Sequence, residues 1–514
     1  MKEKINNLNE QLFYFKSFAS PYSLIFVFQL IFYILLSLNR EVWVDEAYSL
    51  TTSSHSFLDI FFISLNFEGN PPLYFLLLGI WRMLDPSVFF ARILSIVLTV
   101  LATGVFYNIL RFFIQKHHAL LITTLLIFNP FLIFIADNVR YYVLVFLFCN
   151  LVIYFFLKYF LYGTLSKQKL VVFSFVSALA IATQYQTVFL LFALGTSLLL
   201  IKGWRLFWQY FISMIFPLIV FVFMITYLFQ VVNTLAGYSE PLGGLSNIYS
   251  IVVSWVEYFL GFFHFRWTYS TLFYWLFRIP LLILFLNFIL AVSVKSLKDN
   301  KLFQTIAISL FIIISIFLIL LFKIIQQEYL LVWHIMILFP LMLVLISIFF
   351  EFGKFRLVSY GAIAALLVVQ LVTVTNNLKL NFLSSDFREV SEYMEAKDIT
   401  DKVVFVFPAE TALIANYELP KKQIVSIPVD IDFFDVFDHN LWVIESKEQL
   451  IKLFEPHIEQ TDTIHLLKRK DFTSFYNVNY NTEILYDFIF DQRWKILTDT
   501  SFTKLDYIRF TTKK

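Results

Sequence analysis

Two adjacent carboxylates, Asp45 and Glu46, lie just after the first long apolar run of the chain. A carboxylate held at a fixed position can take a proton from a hydroxyl group, which is general base catalysis. Adjacent acids are also common in solvated turns and at the start of helices, where they interact favourably with the helix dipole. The pair alone leaves both interpretations open, with Asp45 and Glu46 as candidate catalytic residues.

A second polar cluster begins at Glu68 and continues through Asn70 to Tyr74. The prolines Pro71 and Pro72 within it fix an extended backbone that leads into an apolar segment. One interpretation is a rigid turn at the membrane surface. The other is that this cluster forms a single site with the other polar clusters.

A third polar cluster combines an acid, an amide, an arginine and two tyrosines, namely Asp137, Asn138, Arg140, Tyr141 and Tyr142. The planar guanidinium of Arg140 suits bidentate binding of an oxyanion such as phosphate. Pairing with a nearby acid, or extension of the charged head to water beside the tyrosines, are alternatives. Arg140 and Tyr141 are therefore candidate phosphate-binding residues, and Asp137 and Asn138 are candidates for lining the site.

The elements that position these clusters are membrane helices. Hydrophobic residues make up 59% of the 514 residues and charged residues only 15%, against about 25% charged in an ordinary globular chain. The apolar residues occur in runs of about twenty, the length that crosses a hydrocarbon core of about 30 Å. The single cysteine excludes a disulfide framework, and the balance of 39 basic and 37 acidic residues indicates no nucleic-acid partner.

The length of these runs predicts about eleven transmembrane helices. The first run is too long for a signal peptide and lacks a small-residue cleavage site, so it is expected to remain as a helix. The predicted spans are 21–38, 88–110, 119–136, 141–160, 170–184, 187–201, 207–231, 271–293, 303–322, 331–350 and 357–375.

Lysine and arginine concentrate in alternate loops, which sets the orientation because basic residues are retained on the cytoplasmic side. The N-terminus and these loops are therefore expected in the cytoplasm, and the three polar clusters share the outer face. The basic loops contain Lys2, Lys4, Lys16, Arg111, Lys116, Lys158, Lys167, Lys169, Lys202, Arg205, Lys295, Lys298, Lys301, Lys354 and Arg356.

The last part of the chain differs in composition, with mixed charged and apolar residues and no spanning run. We expect a transmembrane domain over 1–375 and a soluble extracytoplasmic domain over 376–514. Helical spacing over 387–397 and a β-branched, aromatic run over 402–408 predict an α/β fold for the second domain. The predicted fold class is an all-α polytopic membrane domain followed by a small α/β domain on the outer face.

Taken in order, the polar clusters resemble the landmarks of glycosyltransferase family 39 and its bacterial relatives, which include protein O-mannosyltransferases and the lipid A aminoarabinose transferase. The resemblance covers residues 1 to about 200 and extends by topology to the span around Leu338–Leu341. Its motifs are Asp45-Glu-Ala-Tyr48, Asn70-Pro-Pro-Leu-Tyr-Phe75, Phe90-Ala-Arg92, Asn129-Pro-Phe131 and Asn138-Val-Arg-Tyr-Tyr142.

The resemblance implies a GT-C fold, a polyprenyl-phosphate-linked sugar as donor, and transfer with inversion. It implies that Asp45 is the central catalytic carboxylate with Glu46 beside it, and that Arg140 binds the donor phosphate. It also implies that Glu68 and Tyr74 line the substrate site. Two departures concern the donor headgroup and a metal ion. Relatives often carry Ser-Arg-Glu where this chain has Ala136-Asp-Asn138, and many carry His-Tyr where it has Gln184-Tyr185.

The chemistry is coherent without the family. A sugar linked through phosphate already carries a good leaving group, so the reaction needs a carboxylate for the acceptor proton and a cation for the departing phosphate. That cation is an arginine or a divalent metal ion, with Asp45, Glu68 and His264 as candidate ligands. His264 lies in the segment 232–268, which is either a lid over the site or a plain interfacial aromatic segment. No nucleotide cofactor is expected, since no phosphate-binding glycine loop is present.

The main alternative function is a transporter or flippase of lipid-linked sugars, which should carry ionisable residues at mid-membrane or repeated, interrupted helices. Here the ionisable residues cluster at the outer edge, which favours transfer to a lipid, glycan or protein acceptor. A non-catalytic membrane scaffold is a second alternative, but it gives no reason for the clusters to converge. The resemblance places the chain in a bacterial plasma (inner) membrane as a multi-pass protein.

Overall fold

A computed structural model of the chain shows a bundle of helices followed by a C-terminal part that contains a sheet. The structure describes residues 23–38, 40–235, 271–292, 312–318, 336–379, 386–397, 399, 403–430, 439–458, 463–470, 480–491 and 494–512.

The N-terminal part is helical. Its helices are α1 (Ser23–Ser37), α2 (Val44–Thr52), α3 (Phe57–Asn66), α4 (Leu73–Arg82), α5 (Val88–Leu110), α6 (Lys116–Ile127), α7 (Pro130–Ala136), α8 (Tyr142–Phe156), α9 (Lys167–Ile181), α10 (Thr187–Lys202), α11 (Trp204–Ser213), α12 (Ile215–Leu235), α13 (Thr271–Val292), α14 (Phe339–Phe352) and α15 (Arg356–Lys379). Helix α8 continues as a π-helical turn, Leu157–Leu161.

Several of these helices suit a membrane. In the described part of the chain, three are long and apolar enough to cross one by themselves: Val88–Leu110, Tyr142–Leu161 and Arg356–Thr375. The number rises to five if each of two bent pairs is one span, with bends of 64° between α6 and α7 and 49° between α11 and α12. A multi-pass membrane protein is confirmed, and the total of about eleven spans stays a prediction.

The predicted spans coincide with helices wherever the structure describes most of the span. The third prediction, 119–136, is divided between α6 and α7 at Asn129, whose side chain accepts hydrogen bonds from the N–H groups of Phe131 and Leu132 at 2.9 and 3.2 Å. An asparagine cap followed by Pro130 starts a new helix, which explains the bend. Most of the predicted span 303–322 lies outside the described residues.

Buried polar side chains join the membrane helices. Gln29 of α1 donates to the Thr103 hydroxyl of α5 at 3.1 Å, and the Tyr33 hydroxyl donates to the Ile127 carbonyl at 2.7 Å. Asn150 of α8 donates to the Ala102 carbonyl at 3.2 Å. Such bonds hold apolar helices together where the hydrophobic effect between them is weak.

One end of the bundle carries a cluster of basic loops. His118 of α6 contacts Glu351 of α14 through Nδ1 and the Tyr360 hydroxyl of α15 through Nε2 at 2.7 Å. These contacts bring the loop between Arg111 and Lys116 next to the loop around Lys354. Both loops were predicted on the same side of the membrane, and the structure places them at the same end of the bundle.

The C-terminal part, named the C-terminal domain from here on, contains both helices and strands, and the predicted division of the chain at residue 376 stays a prediction. Its elements are α16 (Phe387–Ala396), β1 (Val403–Phe407), α17 (Ala409–Glu418), β2 (Gln423–Ser426), a 3₁₀ turn (His439–Trp442), α18 (Lys447–Ile458), β3 (Thr463–Arg469), α19 (Thr482–Ile489), β4 (Trp494–Ser501) and β5 (Leu505–Thr512). The predicted helix over 387–397 and strand over 402–408 are confirmed by α16 and β1.

The described strands form a five-stranded mixed sheet in the order β2-β1-β3-β5-β4. Strand β1 pairs in parallel with β2 and β3, whereas β5 pairs antiparallel with β3 and β4. Strand β1 is an interior strand and its residues from Val404 to Phe407 are buried, as expected for a Val/Phe-rich strand covered on both faces. Helix α17, which follows β1, packs against α2.

Candidate active site

Helix α2 carries both acids of the first cluster. The sequence predicts a loop at Asp45 and Glu46, with the start of a helix as the alternative. The structure shows the start of a helix. Trp43 has an extended backbone (φ −90°, ψ 155°), and both acids lie in the first turn that follows. The N–H of Trp43 donates to Glu46 Oε2 at 3.0 Å, so the acid satisfies a backbone donor that the helix leaves unpaired.

Glu46 is engaged by donors from three segments of the chain. Arg92 of α5 binds both carboxylate oxygens, with Nε 3.0 Å from Oε1 and a terminal nitrogen 2.9 Å from Oε2. The N–H groups of Val139 and Trp43 donate to the same two oxygens at 3.0 Å. Only 1% of Glu46 is exposed. The carboxylate therefore joins the first and third polar clusters to the bundle.

Asp45 has a different environment although it is the next residue. Its side chain is 23% exposed. The Tyr142 hydroxyl donates to Asp45 Oδ2 at 3.1 Å, and Arg140 Nε lies 3.7 Å from the same oxygen. An oriented carboxylate that keeps an accessible surface suits a general base.

Arg140 lies between two acids. One terminal nitrogen donates to Glu68 Oε2 at 2.9 Å and to the Ser49 hydroxyl at 3.1 Å. The guanidinium also lies 5.7 Å from the ring centroid of Tyr141. Its Nε is buried and has no hydrogen-bond partner among the described residues. The side chain is 10% exposed, so Arg140 pairs with acids inside the protein rather than extending to water.

The second cluster is divided between the site and the loop that supports it. Glu68 accepts from Arg140 and, through Oε1, from the Thr52 hydroxyl at 2.9 Å. The Asn70 side chain donates to the Glu68 carbonyl at 2.8 Å, which closes the turn. Tyr74 is fully buried, with its hydroxyl 3.4 Å from that of Ser95. Glu68 therefore reaches the charged cluster, Asn70 supports the turn around it, and Tyr74 connects α4 to α5.

The third cluster is similarly divided. Arg40 Nε lies 2.6 Å from Asp137 Oδ2 in a nearly buried ion pair. The Asn138 side chain donates to the Phe134 carbonyl at 2.7 Å and ends α7. Burial raises the pKa of Asp137 to about 6, and the charge of Arg40 acts to lower it. Asp137 and Asn138 thus hold the turn from which Arg140 projects.

Charges of the C-terminal domain lie near Asp45. Glu410 is in the first turn of α17; burial raises its pKa, Arg469 acts to lower it, and Asp45 acts to raise it further. Burial also raises the pKa of Glu418, which accepts a hydrogen bond from the Val42 N–H at 2.5 Å. The C-terminal domain is therefore within electrostatic range of the candidate base.

The metal prediction is not tested by the structure. In the part of the chain that is described, no group of three or more His, Cys, Asp and Glu side chains is arranged to hold a metal ion. His264 and most of the predicted lid, 232–268, lie outside the described residues. Asp45 and Glu68 lie on either side of Arg140, whose cationic head occupies the space between them.

Three residues that organise the site were not among the predicted site residues. Arg92 was quoted only as part of a motif, yet it binds Glu46 and donates to the carbonyls of Arg40 and Glu41 at 2.7 and 2.9 Å. Tyr142 was named beside Arg140, but its bond to Asp45 was not expected. Glu418 has no signal in the sequence, since it lies 376 residues from its partner.

The comparisons with known proteins concern the fold. The chain matches no protein-family model and no curated protein. Among solved structures it is similar to ArnT from Cupriavidus metallidurans bound to undecaprenyl phosphate, with 12% identity, a TM-score of 0.59, and coverage of 96% of this chain and 98% of that one. The apo structure of the same protein gives 13% identity, a TM-score of 0.57 and the same coverage. The chain therefore shares the fold of ArnT over almost its whole length.

Proposed function

We propose that the chain is a membrane glycosyltransferase that transfers a sugar from a polyprenyl-phosphate donor to a lipid, glycan or protein acceptor, with inversion. Asp45 carries the proposal. It is a partly exposed carboxylate that Tyr142 orients and Arg140 accompanies, in a chain with the ArnT fold. The undecaprenyl phosphate in the ArnT structure supports a polyprenyl-phosphate donor for this chain.

Each charged group has a place in this reaction. Asp45 accepts the proton of the acceptor group, or orients that group where it is already ionised, and the acceptor oxygen attacks the anomeric carbon of the sugar. The bond from that carbon to the phosphate oxygen breaks, and the electron pair leaves with the phosphate. Arg140 stabilises the negative charge that develops on the leaving group. The buried Nε of Arg140, which has no hydrogen-bond partner among the described residues, supplies an available donor.

Glu46 has a structural role in this proposal. General base catalysis needs a lone pair that can reach the acceptor, and donors from Arg92, Val139 and Trp43 occupy both oxygens of Glu46. Asp45 retains exposed surface. The proposed order of importance is therefore Asp45 for chemistry and Glu46 for the position of α2.

The proposed reaction takes place on the extracytoplasmic face of the bacterial plasma membrane. Helix α5 binds Glu46 through Arg92 near its start and ends at the basic loop around Arg111, which lies next to the loop around Lys354. The basic loops are therefore at the other end of the bundle from Asp45, which supports this orientation. The acceptor is a lipid, a glycan or a protein exposed on that face. A divalent metal ion remains a proposed cofactor.

The proposal is tested with purified protein in nanodiscs and a panel of undecaprenyl-phosphate monosaccharides that carry a radiolabelled sugar. Membranes from a strain that lacks the chain supply the acceptors, and mass spectrometry identifies the labelled product. We expect one donor to lose its sugar with wild-type protein, and turnover with Asp45→Asn to fall by about 10²- to 10⁴-fold.

The same protein in sealed liposomes distinguishes transfer from transport. A transporter would move an intact lipid-linked sugar between leaflets without breaking the sugar–phosphate bond. If folded wild-type protein moved label across the bilayer and cleaved no donor of the panel, the transferase proposal would fail.

A further inference from the structure

Helix α17 of the C-terminal domain contacts the segment that carries Asp45 at two places. The Glu418 carboxylate accepts a hydrogen bond from the Val42 N–H at 2.5 Å, just before α2 begins. The Tyr417 hydroxyl lies 2.9 Å from the Thr51 hydroxyl, in the last turn of α2. Two consecutive residues of one helix therefore bind on either side of Asp45.

An apolar contact lies between these polar contacts. Tyr48 of α2 and Ile63 of α3 belong to the hydrophobic core of the C-terminal domain, together with Phe407 and Ala409. Tyr48 is 7% exposed. Because it is three residues beyond Asp45, its burial fixes the rotation of α2 about its axis.

The membrane domain also holds α2, through charged groups. Arg92 binds Glu46 in the first turn, and Arg82 donates to the Ser53 hydroxyl at 2.7 Å at the end of the helix. With nine residues, α2 is too short to be stable by itself. Its position is therefore the result of two sets of contacts, one from each domain.

We infer that Tyr417 and Glu418 are positioning residues, which act through α2 to hold Asp45 at the distance from Arg140 and Tyr142 that the reaction needs. Their hydrogen bonds are to Val42 and Thr51 of the same segment. Loss of their bonds frees the two ends of α2 on the side of the C-terminal domain, and a displacement of about 1 Å at a reacting group costs about 10²-fold in rate. The kinetic part of this inference rests on the proposed function, whereas the structural part does not.

Variants at these positions distinguish the effect of losing the hydrogen bonds from the effect of losing side-chain packing. Tyr417→Phe removes only the hydroxyl, and Glu418→Met removes the acceptor oxygens while keeping the length of the side chain. Glu418→Gln is the conservative variant, since its amide oxygen still accepts from Val42. The chain also offers a matched control, because Tyr486 and Asp487 are a second consecutive Tyr-acid pair whose partners, Lys468 and Lys447, lie within the C-terminal domain.

The first measurement is hydrogen–deuterium exchange of the whole protein in nanodiscs, without substrate. We expect the amides from 42 to 52 to exchange about tenfold faster in Tyr417→Phe/Glu418→Met than in wild type. Exchange in the membrane helices should be unchanged. Glu418→Gln should restore most of the protection, and Tyr486→Phe/Asp487→Met should leave these amides as in wild type.

The second measurement is steady-state transfer with the undecaprenyl-phosphate donor selected above. We expect kcat of the double variant to fall about 10- to 100-fold, with KM for the donor within about twofold, because α2 moves while the Arg140 site persists. Equal losses in the control pair would indicate a general effect on the C-terminal domain and would overturn the inference.

Failure of the inference differs from failure of the proposed function. Wild-type exchange in α2 of the double variant, or faster exchange that Glu418→Gln does not restore, overturns the positioning role even if the enzyme transfers sugar. Absence of transfer by wild-type protein overturns the function, and the exchange data then still decide the positioning role. If the double variant does not fold, Tyr417→Phe alone carries the test, with an expected increase in exchange near Thr51.

Discussion

Replacement of each of the two adjacent acids by its amide should have a different effect. Glu46→Gln should lower the stability of the protein, whereas Asp45→Asn should lower its activity. Glu46 is 1% exposed and accepts two bonds from Arg92, itself 3% exposed. In Glu46→Gln one acceptor oxygen becomes an NH₂ group, which faces donors, and the Arg92 charge loses its counterion. Removal of one partner from a buried ion pair costs about 3–5 kcal/mol. We therefore expect lower membrane abundance and a Tm lower by roughly 5 °C, since each kcal/mol shifts Tm by about 2–4 °C in a domain of 150–250 residues and by less in a larger protein.

Asp45→Asn should leave the fold intact. Its carboxylate is partly exposed, lies 3.7 Å from Arg140, and accepts one hydrogen bond, which the amide oxygen of asparagine also accepts. The expected change in stability is about 1 kcal/mol or less. Sugar transfer should fall by about 10²- to 10⁴-fold, because a carboxamide cannot take up the acceptor proton.

The assay combines thermal unfolding of detergent-purified protein, membrane abundance, and transfer from the undecaprenyl-phosphate panel for both variants. Transfer is expressed per folded molecule, which separates chemistry from folding. A Glu46→Gln protein with wild-type Tm and abundance but no transfer would refute the structural role of Glu46 and move the base by one residue. Near-wild-type transfer by Asp45→Asn would remove the central group of the proposed mechanism.

Three further outcomes are expected. Arg140→Lys should raise KM for the donor about tenfold or more, because an ammonium cannot replace a planar fork, and a donor titration equal to wild type would identify the arginine as purely structural. Tyr142→Phe should lower kcat by about tenfold with little change in Tm, since it deletes one hydrogen bond to Asp45; unchanged kcat would show that the hydroxyl does not orient the base. A reporter active only in the cytoplasm should be inactive when fused to the C-terminus, and strong activity there would mean an error of an odd number in the predicted spans.

The sequence determined the membrane class, the approximate helices and the residues that converge. Apolar runs as long as a bilayer is thick require membrane helices, whatever their partners are. A charged group in contact with lipid has a high free-energy cost, so an arginine and several acids at the ends of such runs had to contact one another or water. The pairing of Arg140 with Glu68 and Asp45 follows from that cost. The helix over 387–397 and the strand over 402–408 also followed from local patterns.

The tertiary structure alone decided which of two neighbouring acids is accessible. Asp45 and Glu46 have similar chemistry and adjacent positions, and successive helical residues point about 100° apart. What separates them is that Arg92 and the Val139 N–H lie on the side of Glu46, whereas Tyr142 and exposed surface lie on the side of Asp45. Those partners come from elsewhere along the chain, so no local pattern ranks the acids.

The role of the C-terminal domain also depends on partners that are distant in sequence, so no local pattern predicts it. Tyr417 and Glu418 stand in an ordinary mixed sequence, and nothing near them indicates a partner in the membrane domain. Their bonds to Thr51 and Val42 span 366 and 376 residues. A contact over that separation requires the complete tertiary structure, because the distance between the two partners depends on the position of every element between them.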